Sequence, residues 1–116
     1  MKIVGQYQSR YNDLAGEALP CGPIYQSDGL SLHVAKHHPN DKDHLSEIPG
    51  IVAAPDYIGH NPKEPDSVEL VKRCEGNVMV CIKLDRKENY LYIASVYEIT
   101  EAKLQNRLHS GRLKKY

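Results

Sequence analysis

NVMVCIKLDRKENYLYIASVYEIT, residues 77–100, decides the fold. Val78, Val80, Ile82 and Leu84 alternate with Met79, Cys81 and Lys83, the period of a strand with one buried face. Residues 90–99 are apolar on both faces for much of their length, as a central strand is. The polar run 85–89 joins the two, which predicts a hairpin. Pairing Leu84 with Tyr90 sets Val78, Val80, Ile82 and Leu84 against Val96, Ala94, Tyr92 and Tyr90 on the core face. The opposite face then carries Met79, Cys81 and Lys83 against Ser95, Ile93 and Leu91, with Tyr97 beyond. A slip of one residue would exchange the faces.

On the C-terminal side, Thr100 is an N-cap, Glu101 suits the positive helix start and Gly111 is a natural C′ residue. Ile99 and Leu104 fit a hydrophobic staple, so a helix is expected over about 101–110. On the N-terminal side, VELVK (68–72) is a further short strand. Residues 40–66 hold several prolines, with short helical turns expected near 41–46 and 49–54. Leu30 and Val34 lie four apart and Pro39 ends the pattern, which favours a helix from about 30 to 38. Residues 1–27 read as a short extended piece plus turns. Helices come first, then strands, then a last short helix: an α+β domain with an antiparallel sheet.

The 116 residues suit one domain, 1–116. No apolar run is long enough to span a membrane, and MKIVGQYQSR lacks an apolar signal core, so a cytoplasmic protein without a membrane partner is expected. Fifteen basic and fifteen acidic residues cancel. They are segregated, however: residues 40–70 hold two lysines against seven acids, and residues 71–116 hold ten cations against five acids. The bland reading of the last residues, with Arg112, Lys114 and Lys115, is a solvated basic tail. Cys21, Cys74 and Cys81 lack zinc-knuckle or disulfide spacing and read as reduced, partly buried thiols. There are eight tyrosines and no Phe or Trp. Tyrosine packs its ring, keeps a polar tip, and can stack on nucleobases. No phosphate-binding loop, dinucleotide fingerprint, nucleophile elbow or HExxH is present.

The densest polar cluster is His33, Lys36, His37, His38 and, farther on, His44. On a helix, His33, Lys36 and His37 share one face. Two histidines are too few to hold a metal by themselves. Histidine does suit acid–base work on a phosphodiester, because its pKa lies near neutrality, and lysine or arginine suits the charge that builds on the phosphorane. A solvated polar helix face is the plain alternative. Ser95 and Tyr97 are polar residues on the non-core face of the most apolar strand, where hydroxyls can donate to a phosphate oxygen. Arg107 and His109 could orient a phosphate, or simply favour the negative helix end.

In order, HVAKHHPN (33–40), IPGIVAAPDYIGHNPKEPDSVELVK (48–72) and NVMVCIKLDRKENYLYIASVYEIT (77–100) resemble the phage-associated branch of the barnase–EndoU–colicin–RelE-like nucleases, the PBECR domains. The resemblance spans about residues 24–113. Its most specific parts are Pro55-Asp56-Tyr57-Ile58-Gly59 and Ser95-Val96-Tyr97. It implies N-terminal helices packed on a roughly four-stranded antiparallel sheet whose exposed face forms the site. It also implies metal-independent RNA cleavage in toxin, phage or mobile-element settings. Carried across, His33 matches the helix histidine, His38 the His-Pro histidine, Lys36 the basic residue between them, and Ser95 and Tyr97 the [Ser/Thr]-x-Tyr strand. Arg107 is taken as the phosphate-binding residue of the following helix.

The expected function is therefore an endoribonuclease that cleaves by 2′-hydroxyl attack, without metal or other cofactor. His33 or His38 is the base; Tyr97 or the other histidine is the acid. Lys36, Ser95 and Arg107 steady the phosphate, with His109 beside them. The partner would be RNA, tRNA or mRNA, and an antitoxin or immunity protein. The rivals are a catalytically silent RNA- or protein-binding module of the same fold, an accessory protein docking through its basic C-terminus, and a metal site at His33 and His37.

Overall fold

The computed structural model describes residues 1–37 and 39–116, without the side chains of Pro39, Asp41, Lys42 and Asp43. The chain runs β1 (Lys2–Tyr7), α1 (Ser9–Ala15), β2 (Gly22–Gln26), α2 (Leu30–His37), a 3-10 segment (Pro39–Glu47), α3 (Ile48–Ala53), β3 (Tyr57–Gly59), β4 (Ser67–Arg73), β5 (Asn77–Asp85), β6 (Tyr90–Ile99), α4 (Glu101–Ser110) and β7 (Leu113–Lys115). One sheet holds all seven strands in the order β1-β2-β6-β5-β4-β3-β7. It is mixed: β2 runs parallel to β6, and every other pair is antiparallel. The class is α+β, but the expected four-stranded antiparallel sheet is corrected to a seven-stranded mixed one. Among the described residues, no helix is long and apolar enough to cross a membrane.

The additional strands have weak local signals. β1 contains Gly5 beside a register shift between Ile3 and Gly5, and a side chain at Gly5 would overlap Val52 of α3. β2 opens with Gly22-Pro23, a turn signal, and β3 and β7 are three residues each, too short to show a period. Only Gln8 separates β1 from α1, yet α1 packs on β3, β4 and β7 at the far end of the sheet. A flat sheet of seven strands would span roughly 29 Å at about 4.8 Å per strand. The sheet must therefore curl around the helices.

Within the hairpin, Asp85 pairs with Tyr90 and Leu84 with Leu91, one residue away from the expected register. Asp85 Oδ1 accepts from the backbone N–H groups of Lys87 and Glu88, both at 3.0 Å, and Asn89 turns the chain with φ 57°. A β-bulge then shifts the pairing by one residue more, which returns the expected facing but leaves the partners two residues from the expected register. Ile82 pairs with Ile93 but Cys81 pairs with Ser95, leaving Ala94 over. Leu91, Ile93 and Val96 thus enter the core, while Tyr90, Tyr92, Ser95 and Tyr97 share the other face. The expectation that Tyr90, Tyr92 and Ala94 face the core is corrected.

The main core lies on one face. Val68, Leu70, Val78, Val80, Ile82, Ile93 and Val96 of the sheet meet Tyr11, Leu30, Val34, Ile48, Ile51 and Val52 of the first three helices. A second, smaller core lies on the other face, where Leu104 of α4 packs with Val71, Met79, Ile99 and Leu113. So α4 covers part of the face that also bears Ser95 and Tyr97. Its start is as expected: Thr100 Oγ1 accepts from the backbone N–H of Lys103 at 3.1 Å, and Gly111 ends it with φ 82°. The solvated-tail reading holds for the exposed Lys114 and Lys115 but not for the backbone that carries them. Leu113 is buried, and β7 pairs with β3.

Candidate functional site

The face opposite the main core is organised in cross-strand rungs. Ser95 of β6 lies opposite Cys81 of β5, which lies opposite Glu69 of β4, which lies opposite Gly59 of β3. The next rung carries Tyr97, Met79, Val71 and Tyr57. β2 pairs with β6 only at Ile24–Leu91 and Tyr25–Tyr92, and α2 and the 3-10 segment pack beside β6. Leu30 and Val34 anchor α2 in the core. His33, one position before Val34, reaches the opposite face beside the Ala94 bulge.

The result is a cleft of about 250 Å³ bounded by His33, Glu69, Cys81, Lys83, Ser95 and Tyr97. Asn61, Glu64 and Ser67 complete its rim. It adjoins a wider groove of about 730 Å³ that shares Tyr97 and Asn61. Cationic and histidine side chains dominate that groove: His60, Lys63, Arg107, Arg112 and Lys114.

Glu69 lines the cleft, and its partner Arg112 lines the groove. Glu69 is 1% exposed, and Arg112 donates to it twice, Nε at 2.9 Å and Nη2 at 2.7 Å. A buried carboxylate needs such a partner. Burial, then the Glu69 charge, pushes the Cys81 thiol up to about 12, so Cys81 is a neutral thiol rather than a nucleophile. Burial also raises Tyr97 above the ordinary tyrosine value, with Cys81 and Glu69 adding to the rise and Arg107 and Arg112 opposing it. Tyr97 therefore carries its proton at neutral pH. The Ser95 Oγ is buried without a hydrogen-bond partner, a hydroxyl with its donor unused. Arg107 rests its Nη1 on the Met79 sulfur at 3.2 Å.

His33, Ser95 and Tyr97 thus line one cleft, and Arg107 lies in the groove that Tyr97 joins to it. Lys36 is exposed on the last turn of α2 and is not among the cleft's lining residues. His109 is exposed near the end of α4, outside both cavities. His38 lies outside the described residues. The rings of His33 and His37 are 4.8 Å apart, and no group of three or more His, Cys, Asp or Glu side chains comes together as a metal site would need among the described residues. The cysteines are free, but Cys21 and Cys74 are exposed rather than partly buried.

Glu69, which lines the cleft, and His60 and Arg112, which line the groove, were not legible from the sequence as candidates. Glu69 sits inside a strand-like apolar run, and its alternation against Val68 and Leu70 was the one sign that it faces away from the core. His60 Nδ1 lies 2.8 Å from the Ser67 carbonyl and 3.0 Å from Glu17 Oε1. Both neighbours are acceptors, so Nδ1 holds the proton.

Pro55-Asp56-Tyr57-Ile58-Gly59, the most specific stretch of the sequence, is a frame for the site. Asp56 Oδ2 accepts from the backbone N–H of Arg73 at 2.8 Å, and its own N–H donates to the Val71 carbonyl at 2.8 Å. The Tyr57 hydroxyl accepts from Arg73 Nε at 3.2 Å, and Arg73 also pairs with Glu101 at the start of α4. A Cβ at Gly59 would overlap the carbonyl oxygen of Arg112, which accepts from the His60 N–H at 3.1 Å. Glycine there lets the backbone of Arg112 come close enough for its guanidinium to reach Glu69.

Searches of curated proteins and of solved structures return no match. A family model, phage-Barnase-EndoU-ColicinE5/D-RelE like nuclease3, matches residues 2–106, which include β1 to β6 and the first half of α4. The chain belongs to this family of nuclease-like domains.

Proposed function

We propose that the chain is an endoribonuclease that cleaves RNA by 2′-hydroxyl attack and needs no metal. The observation that carries this reading is the single cleft lined by His33, Ser95 and Tyr97, opening on a groove rich in cations. His33 takes the proton of the 2′-hydroxyl, and the freed oxygen attacks the adjacent phosphorus. The bond from phosphorus to the 5′-oxygen breaks, and Tyr97 gives its proton to that leaving oxygen. Ser95 donates its unused O–H to a phosphate oxygen, and Arg107 offsets the charge of the phosphorane. The products are a 2′,3′-cyclic phosphate and a 5′-hydroxyl. Lys36, exposed on α2, steadies RNA outside the cleft rather than at the reacting phosphate.

End-group analysis tests this chemistry. Incubating single-stranded RNA with the protein in EDTA is expected to yield cyclic phosphate ends. Products that carry 5′-phosphates, or cleavage that stops in EDTA and returns with a divalent ion, would overturn the mechanism. Binding without any cleavage would make the chain a silent RNA-binding member of the family.

A further inference from the structure

Three of the eight tyrosines are absorbed neither by a core nor by the cleft. Tyr7 and Tyr11 are buried in the main core, Tyr57 serves Arg73, Tyr97 lines the cleft, and Tyr116 packs on Tyr11 and Arg10. Tyr25, Tyr90 and Tyr92 remain. They lie on the site face, Tyr25 opposite Tyr92 across the β2–β6 pair and Tyr90 two residues before Tyr92. Ring centroids are 5.9 Å apart for Tyr25–Tyr90 and 5.8 Å for Tyr90–Tyr92. All three are half-buried, so the cluster shows solvent part of its aromatic surface.

The cluster is continuous with the cleft. Tyr92 lines a shallow hollow together with His33 and Lys83, and both of those also line the cleft. Tyr25 and Tyr90 line the next hollow beyond it. Two carboxylates beside this path are engaged, while Asp28, between two residues that line the hollow, stays exposed. Glu64 accepts from Lys83 Nζ at 2.7 Å, and Asp85, opposite Tyr90, caps the hairpin turn. The site face therefore presents, in order, a cationic groove, the cleft, and an aromatic platform.

We infer that Tyr25, Tyr90 and Tyr92 form a base-stacking subsite for unpaired RNA on the side of the cleft away from the cationic groove. This rests on the ribonuclease reading above and narrows its substrate class to single strands. Tyrosine rings accept any base on their faces, so the subsite contributes affinity with little sequence preference, while paired bases keep their faces within the duplex. The bulge at Ala94 is what makes the platform: it turns Tyr90 and Tyr92 to the same face as Ser95 and Tyr97.

The test uses a 2′-O-methyl oligouridylate of roughly eight nucleotides, which lacks the attacking hydroxyl and so reports binding alone. Binding is read as the anisotropy of a fluorescent label on the oligomer, a signal that does not depend on which of the eight tyrosines a variant removes. The double variant Tyr90→Ser/Tyr92→Ser is expected to bind about 10-fold or more weakly. Tyr90→Phe/Tyr92→Phe, which keeps the rings, is expected to bind as the wild type, and a wild-type melting temperature for the serine variant guards against a loss caused by misfolding. Wild-type affinity in the serine variant, or equal affinity for the oligomer and its duplex with oligoadenylate, would overturn the subsite. Cleavage of a dinucleoside phosphate, which reaches only the cleft, is measured in parallel and is expected to persist in the serine variant. Its absence in the wild type, with stacking intact, overturns the ribonuclease reading and leaves the platform standing.

Discussion

Gly59 shows how one residue frames the chemistry of another. The Arg112 carbonyl occupies the space that a side chain at Gly59 would need. Gly59→Ala must push β7 away from β3, and overpacking of this kind costs about 1–3 kcal/mol. A melting temperature equal to wild type would show that the strand yields freely. Arg112 in turn neutralises Glu69, which lines the cleft. Glu69→Gln leaves the guanidinium with a neutral acceptor. The expected loss is about 2–3 kcal/mol in denaturant unfolding, less than for a fully buried pair because Arg112 still reaches solvent. An unchanged unfolding midpoint would mean that the pair contributes nothing to stability.

At the scale of elements, α4 is held to the sheet at its first turn as well as by Leu104. Arg73 bonds both carboxylate oxygens of Glu101, at 2.7 and 3.1 Å, and Asn77 and Gln105 add two further donors. Together they lower Glu101 from its ordinary 4.5 to about 2, Arg73 first among the causes. A carboxyl group depressed on folding stabilises the protein above its unfolded value and loses that contribution as pH falls. Glu101→Gln is therefore expected to melt below the wild type at neutral pH, with the gap closing between about pH 4.5 and about pH 2. A gap that stays constant across that window would assign the effect to something other than the charge.

The elements also show what a sequence can reveal. The hairpin, α2, α4 and β4 were legible because each has a period, a cap or a turn signal. The bulge was not, because Tyr-Leu-Tyr-Ile-Ala-Ser-Val-Tyr is apolar enough to fit either register. Ser95 and Tyr97 were placed on the correct face only because the bulge adds a second one-residue shift to the slip at the hairpin turn, and two shifts return a residue to its original face. β1, β2, β3 and β7 depend on long-range pairing and on close backbone approach at Gly5 and Gly59, which leave no local pattern. Of the candidate cleft, residue chemistry and resemblance pointed to His33, Ser95 and Tyr97, which line it. Glu69 and Arg112 became visible only once β4 and β7 were positioned.

At the scale of the molecule, the segregated charge resolves into pairs. Glu64, Asp66 and Glu69 of the acidic stretch meet Lys83, Arg86 and Arg112 of the basic half. Segregation along the chain is thus partly the imprint of antiparallel neighbours, and the positive surface is local, concentrated in the groove with Arg107, Lys63 and Lys114. A local surface suffices for a short RNA site. The basic C-terminus is a strand of the sheet, so removing residues 112–116 would unmake the Glu69 pair along with any docking surface. The central claim is that the His33–Ser95–Tyr97 cleft performs the cleavage, and the most direct measurement is the rate on a defined single-stranded RNA in EDTA for wild type, His33→Ala and Tyr97→Phe. The account predicts cleavage by the wild type and a loss of at least about 100-fold in each variant, with melting temperatures preserved. Wild-type rates in both variants would contradict it.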